Sequence, residues 1–241
     1  RYSSNEEEKA IATLVGQHPE AIIVAGVDQT AHARRLLEHS GVPVIQTFEL
    51  AEDPIDINVG LSQSQAAFEA TKFLIDQGHV KIGFIAARLD ARARARMAGY
   101  TRAMEAAGLP IGNRVATIER SSSVASGTAL ISTLFDRGAE LEALFCGDDN
   151  LALGALFECQ RRGIAVPEQM SIIGFNDLEF AACACPSLST VATPRYEMGR
   201  LSAEIIKRII ETGERPANPR IDVGFSIQQR QSTARRPALA N

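Results

Sequence analysis

The chain has 241 residues, of which 45% are hydrophobic and 22% charged, enough for one large globular domain or two small ones around a buried core. A formal net charge of -4 at pH 7 and an isoelectric point near 5.7 give none of the basic footprint that gripping nucleic acid requires, so this stretch alone is not expected to hold DNA. No apolar run approaches the ~20 residues of a spanning helix, and the opening RYSSNE lacks signal-peptide character, so no membrane partner is expected and the cytoplasm is the simplest address.

Taken from the start, residues 6–17 (EEEKAIATLVGQ) place acids in a first turn and Ile11, Leu14 and Val15 at helical spacing. A strand over 21–25, a helix over 31–39 stopped by Gly41 and a strand over 42–48 follow. Residues 56–60 form a short extended piece, 65–77 a helix that Gly78 ends, and 81–86 another strand. The alternation then repeats: a helix over 91–108, a strand over 114–119, a helix that Ser126 is placed to cap, running to 137, and a strand over 143–146. Gly147, Asp148, Asp149 and Asn150 end that strand with turn and capping residues, and a helix from Leu151 to Arg162 and Gly163 leads to a strand over 171–175. After Pro186, residues 189–193 lead into a helix over 197–212 and a late strand over 220–227. Beyond Gln231 the apolar period is lost, and the tail is expected to fray. Strands alternating with helices over this length imply parallel sheets with right-handed crossovers, covered on both faces.

Reactive groups are few. Cys146, Cys159, Cys183 and Cys185 match neither a disulfide ladder nor paired zinc ligands, and are expected to be reduced and mostly buried, with no metal. His18, His32, His39 and His79 are scattered and read as surface or loop residues. There is no GxSxG elbow, Walker loop, HExxH or GxGxxG, so an enzyme is not expected and no cofactor is implied. An Asp-Asp turn can bind a divalent metal in a hydrolase, but nothing identifies the further oxygen ligands that this needs.

The run ALFCGDDNLALGALFECQRRGIAVPEQMSIIGFND, from Ala143 to Asp177, resembles the effector-binding domain of the LacI/GalR family of transcription regulators. The resemblance extends over nearly the whole chain. AARLDARARARMAGY, ERSSSVASG and FCGDDNLALGALFECQRRGIAVP are similar to the family's gluconate-repressor branch. It implies two doubly wound α/β lobes of the periplasmic-binding-protein type I fold, with 1–87 plus 190–214 in an N-terminal lobe, 88–189 plus 215–233 in a C-terminal lobe, 234–241 as a tail, and the effector in the cleft between lobes. In the family, a strand-helix-strand and, before it, a DNA-binding helix-turn-helix precede the segment that starts here. Neither is in this sequence, so the first lobe is expected to be incomplete at its N-terminus. Strand 21–25 would then carry unpaired backbone groups unless another segment fills the gap.

The candidate site lies in loops at strand ends. Arg92 and Arg96 are four apart on one helix face and suit an anion, although arginine-rich faces more often point at water. The resemblance matches Arg96 to the arginine that binds effector hydroxyls. Ser122, in a serine run that otherwise reads as a capping loop, stands where many members carry an aromatic stacking platform, and a hydroxyl there favours an open-chain polyol. Asp148 matches a position that bonds sugar hydroxyls, with helix capping as its equal alternative. Asn176 replaces an aspartate common in sugar binders, which removes a charge that would repel a carboxylate. Arg92, Arg96, Ser122, Asp148 and Asn176 together suit a sugar acid such as gluconate. The resemblance further implies a homodimer, with the helix over 65–77 among its contacts, that reaches operator DNA through the absent helix-turn-helix. A solute-binding protein feeding a sugar or sugar-acid transporter shares the fold and is the alternative.

Overall fold

The computed structural model describes residues 4–236. In chain order the elements are α1 (Ser4–Gly16), β1 (Ile22–Ala25), α2 (Ala31–Glu38), β2 (Val44–Glu49), β3 (Ile57–Leu61), α3 (Gln63–Asp76), β4 (Ile82–Ala87), α4 (Ala91–Ala106) and β5 (Val115–Ile118). They continue as α5 (Val124–Asp136), β6 (Ala143–Cys146), α6 (Asp149–Arg161), β7 (Ser171–Asn176), α7 (Glu179–Cys183), β8 (Ser189–Ala192), α8 (Arg195–Thr212), β9 (Arg220–Asp222) and β10 (Ser226–Gln228). The chain divides into two compact units, Arg1–Ser62 with Pro194–Gly224, and Gln63–Thr193 with Phe225–Asn241.

The first unit holds a parallel four-stranded sheet in the order β1-β2-β3-β9. Ile11 of α1 and Ala33 and Leu37 of α2 pack with Ile22, Val24 and Val44 into a small core, and α8 lies against β2 and β3. Ile23, on the sheet face opposite Ile22 and Val24, is 50% exposed, and strand β1 pairs only with β2 among the described residues. That is the bare edge expected of strand 21–25.

The second unit is built on a six-stranded sheet in the order β10-β8-β7-β6-β4-β5, parallel except for β10, which runs antiparallel to β8. Strands β4 (IGFIAA), β6 (ALFC) and β7 (SIIGFN) are apolar on both sides, which is what a strand covered on both faces requires. Ile85, Leu144, Cys146 and Ile172 meet Leu130, Ile131, Leu134, Leu151 and Ala155 in the core shared with α5 and α6. Phe84 stacks on Tyr100 of α4 at 5.2 Å, and Phe84, Phe145 and Phe175 run across β4, β6 and β7 at 5.3 and 6.4 Å. Strand order reverses at β4, with β5 on one side and β6 on the other, and such a reversal leaves a crevice at the carboxyl ends of the strands.

Several expectations are corrected. The boundary between units falls at Ser62/Gln63 and not at 87/88, because β4 pairs with β5 and β6 and α3 packs on α4, so both belong to the second unit. The helix over 65–77 is therefore not a first-lobe element, and the return crossings lie at 193/194 and 224/225. The late strand over 220–227 is two strands in two sheets, separated by Gly224 at φ +66. Residues beyond Gln231 do not fray at once: Ser232 and Thr233 are buried, and Ser232 accepts from Ile172 N at 2.7 Å and donates through Oγ to Ile172 O at 2.6 Å. The rest of the expected tail, from 237, lies outside the described residues, as do residues 1–3. Cys146 and Cys159 are buried, but Cys183 and Cys185 are exposed. His79 is buried, its Nε2 3.1 Å from Ala234 O.

Candidate functional site

Every predicted site residue lies in the second unit, at the carboxyl edge of its sheet. The loops there follow β4, β5, β6 and β7, and three of them run straight into helices α4, α5 and α6. Each helix N-terminus is capped by a side chain: Asp90 accepts from Ala93 N, Ser123 from Ser126 N, and Asp148 from Asn150 N and Leu151 N. Three helix dipoles thus present their positive ends along one edge. The cap of α5 is Ser123, one turn earlier than the expected Ser126, whose own hydroxyl donates to Ser121 O at 3.1 Å.

Arg96 is the best-held group at this edge. Its Nε donates to Gln63 Oε1 at 2.7 Å, its Nη1 donates to Gly147 O, and its Cζ sits 4.0 Å above the Phe175 ring. Those three contacts come from α3, from the turn after β6 and from β7. They join Arg96 to the neighbours of Asp148 and Asn176. Asp148 Oδ1 takes both capping bonds, at 2.8 and 3.1 Å, so the capping role assigned to it as an alternative is occupied. Asn176 closes β7 with φ +108 and Asp177 follows at +53, while Arg88 and Leu89 after β4 have φ +61 and +27. Non-glycine residues in the left-handed region at the ends of β4 and β7, on either side of β6, store strain of the kind that collects at binding sites.

The other two predicted residues are tied in less directly. Arg92, in the first turn of α4, lies 3.7 Å from the Asp90 carboxylate with its side chain 31% exposed. Ser122 sits beyond β5, where Arg88 Nη2 donates to Ser121 Oγ at 2.9 Å and bridges the β4 and β5 loops. Ser122 Oγ is buried and meets no hydrogen-bond partner among the described residues.

Two further residues shape the edge. Asp149 is fully buried, accepts from Thr190 Oγ1 at 2.6 Å and from Leu178 N at 2.7 Å, and clamps α6 to β8 and to the turn after β7. Burial pushes its carboxyl up to about 6 against the pull of those two bonds. Gly174 leaves it room, since a Cβ there would lie 2.2 Å from Asp149 Oδ1. Gln63, the partner of Arg96, is 2% exposed. The Asp-Asp pair marks the first in sequence, whereas nothing local marks Gln63. No group of three or more potential metal ligands occurs among the described residues, and no described helix is long and apolar enough to cross a membrane.

Residues 71–233 match the family model described as the periplasmic binding protein-like domain. The HTH-type transcriptional regulator GntR of Pseudomonas aeruginosa is 36% identical over 96% of this chain and 67% of its own length. The transcription regulator GntR of Chromobacterium violaceum superposes with a TM-score of 0.91 at 35% identity, covering 96% of this chain and 85% of that one. A LacI family transcriptional regulator from Silicibacter pomeroyi gives a TM-score of 0.88 at 30% identity, covering 96% and 84%. With its parallel-sheet units and this level of identity, the chain belongs to the LacI/GalR family of transcriptional regulators, as the effector-binding domain.

Proposed function

We propose that this domain senses a sugar acid, gluconate or a close aldonate, at the carboxyl edge of the second sheet, and that binding there alters the operator affinity of a repressor. The observation that carries the reading is Arg96, a guanidinium backed by Phe175 and oriented by Gln63 and Gly147. A positive, preoriented fork suits a carboxylate. Hydroxyls of the same ligand have Ser122 Oγ, the second oxygen of Asp148 and the neutral Asn176 amide as partners. Arg92 adds positive charge one turn before Arg96. The Asp148 charge is compatible with an anion when it faces hydroxyls and not the carboxylate.

Effector binding changes operator affinity only in so far as it favours one conformational state over another, and a dimer is the natural unit for two half-sites. The relatives named above are transcriptional regulators, which gives the transporter reading no support.

Calorimetry with gluconate tests the reading. Arg96→Ala is expected to weaken binding by about 2 to 4 kcal/mol, the range for losing a charge-assisted contact in a closed site. Unchanged affinity removes Arg96 from the site. A thermal-shift screen of sugars, aldonates and phosphosugars should show a rise with aldonates, and a rise with neutral sugars alone rejects the charge argument.

A further inference from the structure

Resting on Arg96 as the anion contact, we propose that Gln63 is a positioning residue that presets the Arg96 guanidinium for the ligand carboxylate. Gln63 opens α3 and is the first residue of the second unit, 33 positions from Arg96 in sequence. The two meet because α3 and α4 approach unusually closely. A Cβ on Gly99 would lie 2.1 Å from Ser64 O, so only glycine permits this spacing one turn beyond Arg96. Arg102, further along α4, donates to Ser64 Oγ at 2.9 Å and to Gln65 Oε1 at 3.1 Å, holding the same turn of α3. Gln63 is thus on a fixed mount, and its amide oxygen meets Nε at 2.7 Å.

The chemistry of the amide matters as much as its place. Arginine has a long flexible stem, and a guanidinium that must be ordered on binding loses affinity to entropy. Gly147 O and the Phe175 ring restrain two of its degrees of freedom, namely the direction of Nη1 and the plane of the fork. Gln63 restrains the third, the rotation that aims Nε. A neutral acceptor does this without consuming the charge. A carboxylate at the same place would form an ion pair with Arg96 and compete with the ligand's own carboxylate. Gln63 therefore sets both the aim of Arg96 and its preference for an anion.

The test compares the unaltered protein with Gln63→Ala, Gln63→Glu and Arg96→Ala. The first readout needs no ligand: the 15N-labelled Nε–H resonance of Arg96, identified by its loss in Arg96→Ala, should be sharp and slow to exchange in the unaltered protein. It should broaden or exchange rapidly in Gln63→Ala. If it stays as protected in Gln63→Ala, the proposal is overturned whatever the ligand. The second readout is gluconate affinity, expected to fall about tenfold in Gln63→Ala and about a hundredfold in Gln63→Glu, where the charge is also compensated. A Gln63→Glu variant that binds gluconate as well as Gln63→Ala does would overturn the charge half of the proposal. If the unaltered protein binds no aldonate while the Arg96 resonance responds as described, the sugar-acid reading fails and the positioning role stands.

Discussion

Asp148 and Asp149 are adjacent in sequence and opposite in circumstance. Asp148 is partly exposed and caps α6, while Asp149 is sealed between α6, β8 and the turn after β7. Because burial raises the Asp149 carboxyl from 3.8 to about 6, the folded protein holds its proton more tightly than the unfolded chain does. Its contribution to stability is therefore present at low pH and declines as pH rises through about 6. Relative to Asp149→Asn, the unaltered protein should lose roughly 1 kcal/mol of unfolding free energy between about pH 5 and pH 7. Urea titrations at both pH values check this, and a difference that does not change with pH refutes it. Glu158 runs the other way. Arg162, Arg161 and Ser132 hold its carboxyl down at about 2, so its stabilising pairing is present at neutral pH and lost as pH falls through that value. At this scale the sequence is informative about Arg96, whose place before Gly99-Tyr100 fits the family resemblance. It is silent about Gln63, because a contact between side chains on two helices depends on how those helices pack.

Helices pair in the second unit through glycines. A Cβ on Gly154 would lie 2.0 Å from Val124 O, and one on Gly127 would lie 2.3 Å from Leu151 O, so α5 and α6 touch backbone to backbone. Gly154→Ala should destabilise the protein by about 1 to 3 kcal/mol, since the helices must separate to admit one methyl group. Gly199 of α8 meets nothing within 4 Å, and Gly199→Ala should stabilise by about 0.5 to 1 kcal/mol through helix propensity alone. Equal effects in chemical denaturation would contradict the close approach. Elements with a strong period were legible in the sequence. Strands β4, β6 and β7 and helices α3, α4 and α6 lie within a few residues of where apolar spacing and capping residues put them. The short helix α7 gave too brief a pattern to read, and the 220–227 run hid a change of sheet at Gly224.

Which sheet a strand joins is a property of the whole molecule, and for that reason the expected boundary was misplaced. IGFIAA of β4 looks like any buried strand, and only its pairing with β5 and β6 assigns it to the second unit. The segment after β10 is a similar case. It has little apolar content, yet Ser232 Oγ accepts from Ser189 N at 2.8 Å, Ala234 N donates to Ser171 Oγ at 3.2 Å, and Arg236 N donates to Gln77 O at 2.8 Å. Polar bonds fasten this strap, and hydrophobic periodicity does not register them. Ending the chain after Gln231 should lower stability by about 2 to 5 kcal/mol, because buried groups around Ser171 and Ser189 lose their partners. A thermal or urea midpoint that does not move would show the strap to be dispensable. The feature also bears on how the protein is made. One sheet waits for β9 and the other for β10, so on the ribosome the first has all its strands only once residue 222 has emerged and the second only once residue 228 has. Each half therefore completes its sheet only after a long wait, and until then chaperones would meet two sheets that each still lack an edge strand.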